Sequence, residues 1–187
     1  GVTSRKALAA LPLLRKSDLI GLQQARLPFG CLTASPASRL ARIFSSPGPI
    51  YDPEGTRLDY WRFARAMFAA GFRPGDIVHN AFSYHLTPGG AMAESGARAL
   101  GCPVIPAGTG QTELQLRVLN DIRPPAYVGT PSFLLMLLEK GRELGLDTSS
   151  LCRAVVSGEA LTPAARDRLR DEFGIDAYQL YGTAALG

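Results

Sequence analysis

The second half of the chain uses one device twice, and that device limits the folds open to it. Ala126-Tyr-Val-Gly129 is an apolar run of strand length, and Thr130-Pro131 then opens an apolar helical stretch to about Leu144. Threonine as N-cap with proline at the first helical position is a firm start signal, because proline's missing N–H would go unpaired there anyway. Arg153-Ala-Val-Val156 reads as the next strand, and Thr162-Pro163 repeats the start signal before a helix over 163–173. Asp176-Ala-Tyr-Gln-Leu180 is strand-like again. Strands alternating with helices of about 10–14 residues imply right-handed crossovers and parallel pairing. The expected fold is α/β in three layers, a largely parallel sheet with helices on both faces.

The pattern extends upstream. Leu58, Trp61, Ala64 and Phe68 recur at helical spacing and predict a helix from near residue 56 to Gly71. The run 76–82 follows Pro74-Gly75 and reads as a strand, 88–100 is helix-compatible, and Cys102-Pro-Val-Ile105 is a short strand. Thr112-Glu113-Leu114-Gln115 has capping-box spacing and predicts a helix over 112–121. Residues 1–54 are assigned as a helical lead-in, with a helix around 17–24, followed by a loop at 45–55. Residues 55–187 form the α/β subdomain, and the two parts make one structural unit.

Composition excludes several classes. The chain has 187 residues, 46% hydrophobic and 19% charged, as an ordinary globular protein does. Its net charge of +4 comes from scattered arginines. Arg166, Arg168 and Arg170 alternate with Asp167, Asp171 and Glu172, which describes a solvated helix face rather than a nucleic-acid surface. No apolar run approaches the ~20 residues a bilayer helix requires. Arg5 and Lys6 precede an Ala/Leu stretch cut by Pro12, too weak for a signal peptide. A cytoplasmic protein without membrane or nucleic-acid partners is expected. Cys31, Cys102 and Cys152 lack C-x-x-C spacing and His79 and His85 are the only histidines, so no metal site is expected.

Open parallel sheets bind ligands beyond the carboxyl ends of their strands. That rule selects the loops 83–90, 106–112, 157–162 and 181–187. Gly108-Thr-Gly110 lacks the third glycine of a dinucleotide fingerprint, and no G-x-x-x-x-G-K-[ST] occurs. Ser83 and His85 have no orienting acid and no nucleophile elbow, which disfavours a serine hydrolase.

Taken in order, the loops resemble a known set. His79-Asn-Ala-Phe-Ser-Tyr-His-Leu-Thr-Pro-Gly-Gly90, Val104-Ile-Pro106, Gly110-Gln-Thr-Glu113, Thr130-Pro131-Ser132, Gly158-Glu-Ala160 and Tyr181-Gly182 together are similar to the phenylacetate–CoA ligase-like family of AMP-forming enzymes. The resemblance runs from about residue 12 to the end. It implies activation of a small or aryl carboxylic acid with ATP to an acyl-adenylate, then transfer to coenzyme A, with magnesium on the phosphates. It assigns Gly158, Glu159 and Ala160 to the adenine pocket, largely through backbone. Tyr181 would stack on the base, Gly182 would allow close approach, and Thr183 would face the α-phosphate. Tyr84, His85, Gly108, Thr109 and Gly110 would wall the acyl pocket. The bland alternatives are that Tyr181 covers the sheet end, Glu159 stays in water, His85 is structural, and the glycines only make turns.

Three departures stand against that resemblance. In Ser45-Ser-Pro-Gly-Pro-Ile-Tyr-Asp-Pro-Glu-Gly55, where the family places a phosphate loop ending Gly-Lys-Pro, only Ser46 and Gly48 survive. Pro47 and Pro49 carry no N–H donor, Asp52 stands in place of the lysine, and no lysine occurs between residues 17 and 139. A stiffened turn is expected there, with charge repulsion toward phosphate. Ala185 stands where the family carries an acidic metal-site residue. The chain also covers well under half of a complete family member, without the lid. These features lead to the expectation that the isolated chain makes no acyl-CoA. Two alternatives are kept: a non-catalytic binding or oligomerising module, such as a homodimer, or a fragment of a longer active ligase.

Overall fold

The computed structural model describes residues 2–183. Two short helices open it, α1 (Arg5–Ala9) and α2 (Lys16–Ala25), followed by a hairpin of β1 (Arg42–Ser46) and β2 (Ile50–Glu54). The remainder alternates helix and strand: α3 (Phe63–Ala69), β3 (Val78–Asn80), α4 (Gly89–Ala99), β4 (Val104–Ile105), α5 (Thr112–Ile122), β5 (Ala126–Gly129), α6 (Pro131–Leu144), β6 (Arg153–Val156), α7 (Pro163–Phe173) and β7 (Asp176–Gln179). Five strands form one sheet in the order β4-β3-β5-β6-β7, parallel at every pairing. The three-layer expectation holds.

Strand alternation sends side chains to two cores. Val78, Ala126, Val128 and Val155 pack with Phe63, Met67, Phe72, Ala93 and Ala97 of the α3/α4 layer. Tyr127, Ala154, Val156 and Ala177 pack with Leu116, Leu119, Leu134, Leu137 and Leu169 of the α5/α6/α7 layer. Both start signals work as read. The Thr130 hydroxyl accepts from the Phe133 N–H and Thr162 from the Ala165 N–H, with proline at the first helical turn of each helix. Gly145 (φ 65°) and Gly174 (φ 68°) close the two helices in the left-handed region, where glycine has no Cβ to clash.

Three local expectations fail for identifiable reasons. The helix predicted near residue 56 begins only at Phe63, because Asp59 (φ 50°) and Arg62 (φ 60°) turn the chain left-handed first. The Asp59 carboxylate then accepts the Ala64 N–H at 3.2 Å. The capping box at Thr112–Gln115 does not form: Gln111 is the N-cap without a side-chain bond, and Gln115 turns inward. The loop at 45–55 is a β-hairpin, with Phe44 opposite Asp52 and Ser46 opposite Ile50.

That hairpin explains the odd composition. Phe44, Ser46, Ile50, Asp52 and Glu54 all point to its buried face. The Ser46 hydroxyl donates to the Asp52 carboxylate, and Arg42 meets both Glu54 oxygens at 3.0 Å. Asp52 is therefore consumed inside the hairpin, and the anticipated repulsion of phosphate by an outward-facing carboxylate is replaced by this internal bond. α2 docks on the hairpin through Gln23, whose amide donates to Tyr51 O at 2.9 Å and accepts from Tyr51 N–H at 2.8 Å. The lead-in thus packs against the hairpin through α2.

Candidate functional site

One cavity of about 990 Å³ opens beyond the carboxyl ends of β3, β5, β6 and β7. Its volume sits at the upper end of the ~300–1,000 Å³ usual for ligand pockets. Ala81, Phe82 and Ser83 come from the loop after β3, Thr130, Ser132, Phe133 and Met136 from the β5–α6 junction, and Ser157 and Gly158 from the loop after β6. Leu180, Gly182 and Thr183 follow β7, while Thr87, Pro88, Gly89 and Met92 belong to the start of α4. Thr109 joins from the loop after β4, Phe63 from α3, and Ser46 and Pro47 from the hairpin.

Lys16 completes the wall. It is the first residue of α2, held there by the Gln23–Tyr51 pair, and is the only ionised side chain lining the cavity among the described residues. An ammonium facing apolar and hydroxyl groups favours a ligand with an anionic end. Sequence reasoning missed Lys16, because its place on the wall follows from the docking of α2 through Gln23 to Tyr51. Phe133, Met136 and Met92 look like ordinary core positions in sequence, since nothing in a helical apolar pattern marks which turn faces a cleft.

The expected site residues divide. Ser46, Thr109, Gly158, Gly182 and Thr183 line the cavity; Gly48, Glu159, Ala160, Tyr181, Tyr84, His85, Gly108 and Gly110 stand outside the lining. Gly48 is at φ 131°, in the turn of the hairpin, where a side chain would be conformationally strained and would lie against Ile50. Tyr84 is half-buried behind the wall, where its hydroxyl accepts from the Asn80 amide at 2.8 Å. Burial raises its phenol's pKa well above the ordinary value, and nearby Glu94 adds to the rise. His85 is exposed, its backbone N–H bonded to the Ser83 hydroxyl. Tyr181 is 90% exposed, so it does not cover the sheet end. Ala185 lies outside the described residues.

Glu159 does something definite. Its carboxylate accepts the Ser132 N–H at 2.8 Å, at the amino end of α6. The Ser132 bonds hold its pKa below the usual carboxylate range, as expected for an anion at a helix N-terminus. The backbone at Gly158 (φ 86°) is thereby fixed at the cavity edge. Among the described residues, no group of three His, Cys, Asp or Glu side chains is placed to hold a metal ion. No carboxylate lines the cavity either, so the described wall gives magnesium none of the anionic oxygens it favours.

Sequence comparison places the whole arrangement. The chain is 36% identical over 188 residues to the phenylacetate–coenzyme A ligase of Aromatoleum evansii, and 34% identical over 195 residues to that of Thermus thermophilus. The alignments take in 96% and 100% of this chain. It belongs to the phenylacetate–CoA ligase-like family. The chain spans 42% and 43% of those two relatives' length. A solved 2-hydroxyisobutyryl-CoA ligase, in complex with 2-HIB-AMP and CoA, superposes with a TM-score of 0.86 at 30% identity. That superposition covers 96% of this chain and 41% of the ligase. An anthranilate CoA ligase shares the fold at a TM-score of 0.59 and 20% identity. No family model matches the chain. As a phenylacetate–CoA ligase-like chain, it has the α/β architecture of the adenylate-forming N-terminal domain, and its cavity opens beyond the carboxyl ends of the strands, where open parallel sheets bind ligands in general.

Proposed function

We propose that this chain forms the nucleotide- and acyl-binding part of a phenylacetate–CoA ligase-like enzyme, and that by itself it binds without turning over. The carrying observation is the cavity at the strand ends, with Lys16 as the only charged wall residue among the described residues. A small or aryl carboxylic acid brings an apolar body and one anionic group. Phe82, Met92, Phe133 and Met136 offer the apolar surface, and the Lys16 ammonium offsets the anion. A nucleotide would lie along the Ser157–Gly158 and Gly182–Thr183 backbone, with exposed Tyr181 free to swing onto the base.

The same wall argues against efficient adenylation by these residues alone. Stabilising charge that builds up on phosphates depends on pre-organised cations and N–H donors. Here Pro47 supplies no N–H, and the Ser46 hydroxyl is already given to Asp52. Coenzyme A enters the proposal through kinship with the relatives, whose names carry it; magnesium does not, since no carboxylate is among the described lining residues. The alternative of a binding module without chemistry is favoured by the same observation.

A thermal-shift titration with AMP, ATP and phenylacetate, run beside a pyrophosphate-release assay, tests the reading. Ligand at a hundred times its Kd stabilises by about 2.7 kcal/mol, worth roughly 5–10 °C for a chain of this size. A saturable rise with AMP and phenylacetate and no pyrophosphate above background is expected. Absence of any shift at millimolar ligand removes the binding reading, and sustained pyrophosphate release removes the claim of inactivity.

A further inference from the structure

His79 is fully buried in β3, and its Nδ1 has no hydrogen-bond partner among the described residues. Its Nε2 lies 2.8 Å from Gln115 Oε1 of α5. The Gln115 amide nitrogen donates to Gly108 O at 3.0 Å and Gly110 O at 2.6 Å. Both amide protons are thus spent on the loop, and the Gln115 oxygen must accept. The ring proton of His79 therefore sits on Nε2, and Nδ1 is bare. Protonating Nδ1 would leave an N–H unpaired in the core, and burial lowers the ring's pKa accordingly. The Tyr127 ring lies nearly parallel to the imidazole, with ring centroids 6.1 Å apart and an interplanar angle of 17°.

The loop so gripped is a conformationally costly one. Gly108, Gly110 and Gln111 have φ of 69°, 73° and 50°, and non-glycine residues seldom sit there. Gly108 N–H also donates to Asn80 O at 3.0 Å, anchoring the loop's near end to β3. Between the two gripped carbonyls lies Thr109, the loop's one residue on the cavity wall.

We infer that His79 and Gln115 form a buried clamp that fixes Thr109 in the cavity wall, making Gln115 a positioning residue for the ligand held there. The positioning role rests on the proposed function; the clamp itself does not. Gln115→Leu removes both donors and the acceptor. Gln115→Glu is isosteric, keeps an acceptor for His79, and sets oxygen against two carbonyl oxygens.

The test combines amide and imidazole NMR with binding of the non-reactive acyl-sulfamoyl analogue of phenylacetyl-AMP. Wild-type His79 should give the signature of the Nε2–H tautomer, retained in Gln115→Glu and lost in Gln115→Leu. In both variants the Thr109 amide should move while Ser157, in the loop after β6, stays put. Analogue affinity should fall about tenfold, the scale of one to two lost hydrogen bonds. An Nδ1–H tautomer in the wild type, or an unmoved Thr109 amide in a folded variant, overturns the clamp. A displaced Thr109 with unchanged affinity overturns the positioning role. Wild-type protein that binds neither the analogue nor AMP removes the functional reading, while the Thr109 shifts still decide the clamp. Gln115→Glu carries the same outcomes if the leucine variant does not fold.

Discussion

Replacing Asp52 with lysine would restore the residue that the family resemblance places at this position. The hairpin geometry predicts the opposite of a repair. Asp52 is 7% exposed, lies opposite Phe44, and accepts the Ser46 hydroxyl. A hydrogen bond to a charged group is worth about 1.5–3 kcal/mol, and an ammonium forced into that site adds a desolvation penalty of similar size. We expect Asp52→Lys to lose about 3 kcal/mol or more, which corresponds to roughly 6–12 °C in Tm for a chain of this length. Asp52→Asn keeps an oxygen for Ser46 and should lose only about 1 kcal/mol. Urea unfolding followed by fluorescence suits the measurement, since Trp61 is the only tryptophan and its ring lies 5.8 Å from that of Phe44. AMP and ATP affinities are measured on the same samples. An Asp52→Lys protein that unfolds within about 0.5 kcal/mol of the parent and binds ATP more tightly would refute the claim that this carboxylate is structural.

Two shorter predictions concern charge. Lys16→Gln should weaken binding of AMP or phenylacetate about fivefold at low salt and by less at high salt, because an exposed pair ~4 Å apart gains about 1 kcal/mol and is screened; titration calorimetry at two salt concentrations checks it. His79 is held neutral in the fold while its unfolded form protonates near pH 6.5, so the unfolded state binds more protons below that pH. Stability should therefore fall as pH drops below about 6.5, by at most ~1.4 kcal/mol per pH unit from this residue, and urea midpoints of His79→Gln should show a shallower decline over pH 7 to 5.

Much of the fold could be read in advance because its signals are local. Thr130-Pro131 and Thr162-Pro163 set two helix starts through their own side chains, and the intervening strands are short, apolar and bounded. The failures come from residues whose partners are distant in sequence. Gln115 has the spacing of a capping box, yet it is claimed by His79, 36 residues away. Asp52 reads as a misplaced charge until the hairpin register brings Ser46 beside it. The site showed the same limit. Ordered loop motifs located Gly158, Gly182 and Thr109 on the cavity, because strand ends follow from topology. Lys16 depends on how α2 docks through Gln23 to Tyr51, 28 residues on, and no local pattern encodes that.

The Glu159 bond to α6 has an electrostatic corollary. Helix α6 aims its amino end at the cleft, yet its partial positive charge is already met by an anion. A second anion arriving there would find little attraction, whereas Lys16 of α2 puts an ammonium on the wall with no carboxylate among the described lining residues. A molecule with a single negative end would be drawn by that end to Lys16 rather than to the amino end of α6.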